Sequence, residues 1–279
     1  MGELVESFGS PFFRRAMAEA VLVGALAGVV GVHVLLRRLP FFVVAMSHAT
    51  FPGVVLASVA GISLFVGGSA FGLLVVLAVV ALGTRKALDD ASVIGVVLAA
   101  SFALGVVVLS ARTGATANLS EFLVGSVLTV TAADIGTTVV VGVVVLVVLA
   151  ALHKELVLGA FDPEGAAALG YRTVVLDACL LALVTITLVT AVPAVGTLLA
   201  VALLTVPALA ARVWAERVGH AMALAAGFGA ASGALGLSVS AVWSVAAGAA
   251  IALSATGLLA LSLVGSAALR SVRRPALRA

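Results

Sequence analysis

The feature that most limits how this chain can fold is a series of long apolar runs separated by short polar segments. Residues 139–152 carry no polar side chain at all. Of the 279 residues, 63% are apolar and 10% are charged, whereas a typical soluble domain is about 45–50% apolar and about 25% charged. Because so little polar surface is available to cover a soluble globule of this size, the sequence predicts a membrane protein.

Two architectures satisfy every backbone polar group inside a bilayer, the helical bundle and the closed β-barrel. A barrel strand alternates apolar and polar positions, and residues 139–152 do not alternate. A membrane-spanning helix needs about 20 apolar residues, and the chain has room for eight or nine such stretches. We therefore predict an all-α polytopic membrane protein with eight or nine transmembrane helices and one short cytoplasmic helix.

The apolar runs predict nine spans, and merging or re-entry of one early span would give eight. A glycine-rich stretch at 61–69 precedes the third span. Residues 112–131 are expected to form a loop with a partial or re-entrant helix at 122–130, and Pro193 with Gly196 is expected to form a tight turn. The predicted spans are 16–36, 41–60, 70–82, 91–110, 135–152, 173–192, 197–211, 221–237 and 241–264.

The distribution of positive charge predicts the sidedness of the chain. Nine spans place twelve of the fifteen lysines and arginines on the side of the C-terminal tail and three on the other side. Positive charge concentrates in cytoplasmic loops, so we expect a multi-pass protein of the cytoplasmic (inner) membrane with a cytoplasmic C-terminus. This rule also accounts for the net charge of +3 without nucleic acid as a partner.

Three parts are expected along the chain: an N-terminal interfacial segment at 1–15, a single transmembrane domain at 16–265 and a basic cytoplasmic tail at 266–279. Residues 1–15 lack the early apolar core of a cleavable signal peptide. We therefore expect the first span to be retained.

A polar island interrupts the second span. Ser47, His48, Thr50 and Pro52 lie within the apolar run at 41–60, and an ionisable residue at membrane depth indicates a functional site by default. His48 follows Arg38 by ten residues, which places it roughly 15 Å into the membrane on a continuous helix.

The chemistry of this island is suited to metal ions. Pro52 has no N–H, so the carbonyl of His48 loses its helical donor. Imidazole binds zinc and other first-row divalent ions. We interpret His48 as a possible transient metal ligand in an ion path, with Ser47, Thr50 and Pro52 lining that path. The alternative is a histidine that is hydrogen-bonded between helices beside a proline kink.

The segment 162–170 predicts a short capped helix in a cytoplasmic loop. Asp162 suits the N-cap, Pro163 suits the first helical position and Gly170 suits the C-terminal cap. Such a helix could be the rigid lever on which an attached motor acts, or an ordinary surface helix. Asp177 is expected to be an interfacial carboxylate near the cation Arg172.

No motif in the sequence supports catalysis by this chain. Neither lysine belongs to a phosphate-binding loop of the GxxxxGK[ST] kind, and no HExxH, CxxC or GxSxG pattern occurs. If ATP drives this protein, a separate chain must supply the ATPase.

These motifs together resemble those of the membrane-spanning permease subunits of ABC importers for manganese, zinc or iron(II), the ABC-3 family. The resemblance extends over about residues 12–250 and rests on the order and spacing of several pieces. These are 34–38 (VLLRR), 47–49 with 52–53 (SHA, PG), Asp90 with 94–95 (IG), 102–105 (FALG), 122–128 (FLVGSVL), 161–164 (FDPE) with Ala167 and Gly170, and 195–196 (VG) with 203–204 (LL) and 207–208 (PA).

The resemblance implies two copies of this chain around a central path, cytoplasmic ATP-binding subunits and an extracytoplasmic metal-binding protein, all working at a lipid membrane. It implies that His48 is the pore histidine and that the 162–170 helix docks on the ATPase through Asp162, Glu164, Ala167 and Gly170. A divalent metal ion would be the transported substrate, moved by alternating access, with no permanently bound cofactor and no catalytic residue in this chain.

The sequence departs from the family pattern at Val44. Members often carry an aspartate there, one helical turn before the histidine, in a Gly-Asp-Ala-x-Ser-His pattern. Residues at i and i+4 face the same ligand, so the loss of the carboxylate should weaken divalent-metal binding or leave it to the His48 of a second protomer. A proline-glycine element expected near Trp243 and Ser244 is also missing.

Three other functions are considered. A permease for a metal chelate, such as a siderophore or haem, would use a related importer fold and would not need a carboxylate at residue 44. An ion-coupled secondary carrier should show paired broken helices and buried carboxylates, and no convincing internal repeat is found. A non-transporting membrane scaffold is the third alternative.

Overall fold

The computed structural model describes residues 10–84, 89–110 and 130–273, without the side chains of 193–195, 198 and 270–273. These ranges contain helices and no strands. The predicted re-entrant segment at 122–130, most of the loop at 83–90 and the ends of the tail and of the N-terminal segment lie outside the described residues. The helices are α1 (Pro11–Leu36), α2 (Pro40–Ala49), α3 (Phe51–Ala60), α4 (Leu64–Gly83), α5 (Asp90–Ser110), α6 (Ala132–Ala151), α7 (His153–Phe161), α8 (Pro163–Ala168), α9 (Thr173–Val195), α10 (Thr197–Arg212), α11 (Val218–Trp243) and α12 (Ala247–Arg273).

The predicted fold class is confirmed. In the described part of the chain, eight helical segments are long and apolar enough to cross a membrane, one of which is the pair α2–α3 taken together. The helix α10 is the ninth candidate. Its 16 residues span only about 24 Å, less than the roughly 30 Å of a bilayer core.

Helix α1 lies at the centre of the protomer and packs against α11, α10, α9 and α6. Gly24 and Gly28, which the sequence spaces as a close-packing pair, face the backbone of α11 at Gly229 and Ala225. A Cβ atom on either glycine would overlap the carbonyl oxygen opposite. The small residues therefore let the two backbones touch, as small-xxx-small spacings do in membrane bundles.

The second span is broken at Thr50, as the proline predicts. Helix α2 ends at Ala49, and α3 begins at Phe51 with Pro52 in its first turn. The N–H of Gly53 donates to the carbonyl of Thr50 at 3.1 Å, a contact three residues back instead of four. The same carbonyl also accepts from the N–H of Val54 at 3.3 Å, so the helical ladder is interrupted near Pro52 and then resumes its usual spacing.

Several predicted boundaries were wrong. Pro193 does not form a turn, because α9 continues through it to Val195 and the chain reverses at Gly196 with φ +85°. A transmembrane helix tolerates such a proline because neighbouring helices compensate for the lost donor. The glycine-rich stretch at 61–69 is mostly part of α4, where Gly67 packs against Gly53 of α3. These glycines therefore allow α3 and α4 to pack closely, and they do not form a long loop.

The two ends of the transmembrane region are also more helical than predicted. Helix α1 begins at Pro11, capped by the Ser10 side chain, which accepts from the N–H of Phe13 at 3.3 Å. Residues 11–15 of the expected interfacial segment and 266–273 of the expected tail therefore continue membrane helices. The sequence analysis also missed α7, because its polar start at His153, Lys154 and Glu155 was interpreted as loop.

Candidate ion path and coupling surface

One face of α2 is left uncovered by the rest of the protomer. Phe41, Val44 and His48 follow each other at i, i+3 and i+7, so they lie on one side of the helix. Phe41 is 49% exposed and Val44 is 39% exposed, while His48 is half-buried. The residues between them pack inward, since Phe42, Val43, Ala45, Met46 and Ser47 are all buried.

The His48 ring is held against α5 by an aromatic contact. Its centroid lies 6.2 Å from that of Phe102, with an interplanar angle of 83°, which is an edge-to-face arrangement. Phe102 itself is 42% exposed and lies 6.0 Å from the ring of Phe51. His48 and Phe102 therefore share one outward-facing surface formed by α2 and α5.

The other three residues predicted to line the path lie inside the protomer. Ser47 donates its hydroxyl to the carbonyl of Val44 at 2.8 Å. Thr50 is buried, and its methyl group faces Gly72 of α4. Pro52 is buried and packs against Gly105 of α5. All three hold the broken helix in place, and their role in lining the path stays a prediction.

A single protomer offers few metal ligands at this level. Among the residues that the structure describes, no group of three or more histidine, cysteine, aspartate or glutamate side chains is placed to hold a metal ion. Val44, one turn before His48, adds no donor. The exposed face thus presents a single imidazole in apolar surroundings.

Helix α8 has the caps that the sequence predicts. The Asp162 side chain accepts from the N–H of Gly165 at 2.8 Å. At the other end, Gly170 has φ +87°, its N–H donates to Ala167 at 3.0 Å, and the N–H of Tyr171 donates to Ala166 at 3.1 Å. These bonds form a Schellman motif with glycine in its preferred left-handed position.

The surface around α8 is unusually apolar for a loop. Ala166 is fully buried and anchors the helix, whereas the predicted coupling residues are exposed. Beside them, Phe161 is 68% exposed, Leu169 is 71% exposed and Tyr171 is 42% exposed. A cluster of exposed apolar side chains of this kind is typical of a protein interaction surface. The coupling residues concerned are Asp162, Glu164, Ala167 and Gly170.

Two polar contacts between helices were not predicted. Glu19 of α1 is only 2% exposed and accepts a hydrogen bond from Thr138 of α6 at 2.6 Å. Its carboxylate in the first apolar run was the signal that could have been noticed. Asp177 pairs with Arg37 of α1 at 2.9 Å, and not with its sequence neighbour Arg172.

His33, near the end of α1, is only 1% exposed. The ring of His153 on α7 lies edge-on against it, with centroids 6.2 Å apart. The unpredicted helix α7 therefore covers this end of α1.

The family model described as the ABC 3 transport family matches residues 10–266. The manganese transport system membrane protein MntC of Listeria monocytogenes is 34% identical over 240 residues, covering 86% of this chain and 85% of MntC. The zinc transport system membrane protein TroC of Treponema pallidum is 34% identical over 250 residues, covering 86% of this chain and 84% of TroC.

A solved structure is also similar to this chain. A chain of PsaBC from Streptococcus pneumoniae, determined in complex with a Fab, superposes with a TM-score of 0.84 at 31% sequence identity. The superposition covers 94% of this chain and 94% of that chain. The likeness therefore extends over the whole helical bundle.

Proposed function

The chain belongs to the ABC 3 transport family, and on that premise we propose that it moves divalent transition-metal ions across the cytoplasmic membrane as the permease subunit of an ATP-driven importer. Manganese and zinc, which appear in the names of its relatives, are the first candidates, and iron(II) has similar ligand chemistry. The ion is substrate, and the chain holds no permanent cofactor.

The observation that carries this proposal is the position of His48 on an uncovered face of the bundle. An ionisable side chain exposed to lipid at this depth is costly, so protein or a water-filled path must cover it. A second copy of the chain meeting the first at α2 and α5 would bring two imidazoles together. The homodimer would then supply the donors that Val44 cannot supply.

The ion should bind His48 only transiently. Conduction requires a site that is favourable enough to enter and weak enough to leave. Two neutral imidazoles without a carboxylate suit that requirement, because no negative charge holds the cation. The path would open to each side of the membrane in turn as the two protomers rock against each other.

ATP hydrolysis takes place on a separate chain. We assign its docking to the surface around α8, where Asp162, Glu164, Ala167 and Gly170 lie among exposed apolar side chains. The caps at both ends keep this short helix rigid, so a displacement of the ATPase would be passed to α7 and α9. The displacement would pass from α9 to the end of α1 through the Arg37–Asp177 pair.

The positive charge of the tail side supports a cytoplasmic location for α8 and for the C-terminus. The opposite face, between α3 and α4 and between α11 and α12, would then receive the ion from an extracytoplasmic metal-binding protein. The exposed Trp243, 71% accessible, lies at that face.

A chelate permease is the second candidate, and the absence of a carboxylate at residue 44 is the observation in its favour. The distinguishing experiment uses proteoliposomes that contain the permease and its ATP-binding subunit, loaded with ATP and supplied outside with the extracytoplasmic binding protein. We expect uptake of free Mn²⁺ or Zn²⁺ and none of a ferric siderophore or haem. Uptake of the chelates alone, or uptake driven by an ion gradient without ATP, would overturn the proposal.

A further inference from the structure

A cationic cavity lies beside α8, at the end of α1 where the chain turns into α2. Its volume is about 660 Å³, within the range of about 300–1,000 Å³ usual for small-ligand sites. Arg37, Arg38 and Arg212 line it, and none of the described residues in its wall is acidic. These arginines come from the α1–α2 turn and from the last residue of α10.

Two donors of Arg37 are enclosed beside this wall. Its Nη1 pairs with Asp177, but its Nε and Nη2 are buried and have no hydrogen-bond partner among the described residues. Nη2 lies against α7, where a Cβ atom on Gly159 would come within 2.7 Å of it. The glycine leaves room for the guanidinium at the edge of the cavity. Because these two nitrogens are closed off, the exposed arginines Arg38 and Arg212 are the ones available to an anionic ligand in the cavity.

Arg38 occupies a backbone position that normally belongs to glycine. Its φ is +56°. Its N–H donates to Leu35 at 3.2 Å and the N–H of Leu39 donates to Val34 at 2.8 Å, the same Schellman pattern that Gly170 completes at the end of α8. A non-glycine residue costs free energy in this conformation. Arg38 lines the cavity, and a role for it there is a reason for the chain to keep an arginine in this conformation.

The lip of the cavity is apolar. Phe161 is 68% exposed and Leu209 is 43% exposed, and both line the opening. Leu209 precedes Arg212 by three residues on the membrane helix α10, so the two side chains share a face. A headgroup held by Arg212 would therefore direct an acyl chain along Leu209 and α10.

We propose that this cavity binds the phosphate headgroup of an anionic membrane phospholipid. Basic pockets between transmembrane helices on the cytoplasmic side bind such headgroups, and arginine matches phosphate with paired donors. The first residue of α8, Pro163, forms part of the wall, so the bound lipid would brace the coupling helix. This proposal depends on the proposed function only in placing the cavity on the cytoplasmic side of the membrane, because lipid binding needs neither metal nor ATP.

The test measures lipids retained by the purified chain, taken from nanodiscs of equal phosphatidylglycerol and phosphatidylcholine, by native mass spectrometry. We expect selective retention of phosphatidylglycerol. The double variant Arg38→Gln with Arg212→Gln should reduce that retention roughly thirtyfold, a factor of about five for each arginine. Arg217→Gln removes one positive charge at an exposed residue near Arg212 that does not line the cavity. It is the matched control for Arg212→Gln alone and should leave retention unchanged.

Phe161→Asp provides a second variant, which adds a negative charge at an exposed position and keeps every arginine. It should also weaken retention of phosphatidylglycerol. Equal retention of both lipids by the unaltered chain, or equal losses in Arg217→Gln and in the double variant, would overturn the proposal.

Two further arms separate the other occupants. Inorganic phosphate that binds with the same dependence on Arg38 and Arg212, and displaces phosphatidylglycerol, would make the ligand free phosphate. In nanodiscs of phosphatidylcholine alone, no anionic lipid is present. If the double variant then fails to assemble with the ATPase while the unaltered chain assembles, the cavity binds the ATPase. Either outcome contradicts a lipid site. A His48→Ala chain should retain phosphatidylglycerol as the unaltered chain does, so failed metal transport would be distinguishable from failed lipid binding.

Discussion

Arg37 and Asp177 form an ion pair of 2.9 Å that ties the end of α1 to the beginning of α9. The Arg37 side chain is 15% exposed and the Asp177 side chain is 46% exposed, so the pair is partly shielded from water. The arginine already has two buried nitrogens without a partner among the described residues. Among the described residues, Asp177 is therefore the only ionic partner of Arg37.

Replacing Asp177 with asparagine should destabilise the bundle. The substitution leaves a largely buried cation without its counter-ion, at a cost of about 1–2 kcal/mol, below that of a fully buried pair because Asp177 is half-exposed. The measurement is the thermal unfolding midpoint in detergent. Glu216→Gln, at an exposed loop position, is the matched control, and equal midpoints for the two variants would contradict the structural role of the pair.

The contact between α1 and α11 predicts opposite effects for two glycines of one helix. In Gly229→Ala the new methyl group would overlap the carbonyl of Gly24, and forced separation of the helices should cost about 1–3 kcal/mol. In Gly227→Ala the methyl group meets nothing within 4 Å, and higher helix propensity should make it neutral or stabilising. Thermal unfolding of both variants tests this, and equal loss of stability would refute the close contact.

The cap of α8 can be tested through coupling. Asp162→Ala removes the side-chain acceptor for Gly165, which should cost the short helix about 1 kcal/mol and reduce metal uptake for each ATP hydrolysed. Asp162→Asn keeps a capping oxygen and should retain most of the coupling. Indistinguishable uptake-to-hydrolysis ratios in the two variants and the unaltered complex would mean that the cap has no part in coupling.

Val44→Asp should restore a carboxylate one turn before His48, on the same exposed face. The added charge should strengthen Mn²⁺ binding to the purified dimer and slow release, so that uptake at saturating metal falls. Phe41→Asp places the same charge on that face farther from His48 and serves as the control. If both variants bind Mn²⁺ equally well, the carboxylate acts by general attraction and not as a ligand beside His48.

Local patterns in the sequence were enough to predict part of this structure. Apolar length predicted the spans, Pro52 predicted the break in the second span, and Asp162 with Gly170 predicted the ends of α8, because each depends only on a few neighbouring residues. The partner of Asp177 could not be predicted, since it comes from α1, far away in the chain. Helix α7 was missed because its polar first residues resemble a loop, whereas its packing against α8, α9 and α1 arises only in the tertiary structure.

The candidate site was likewise predictable only in part from the local sequence. The sequence identified His48 as the unusual residue of its span, but also predicted that Ser47, Thr50 and Pro52 line the path. Which side chains face outward depends on how α4, α5 and α9 cover the broken helix, and that follows only from tertiary packing. The exposed face of Phe41, Val44 and His48 is thus a finding of the structure.

The most direct test of the central proposal is metal uptake with His48 removed. Proteoliposomes with the complete importer should lose most ATP-dependent Mn²⁺ or Zn²⁺ uptake in His48→Ala, while assembly with the ATPase is unchanged. His220→Ala, which removes an exposed histidine of α11, should transport like the unaltered complex. Full ATP-dependent uptake by the His48→Ala complex would contradict the account, because the ion would then cross the membrane without the imidazole on which the proposed path depends.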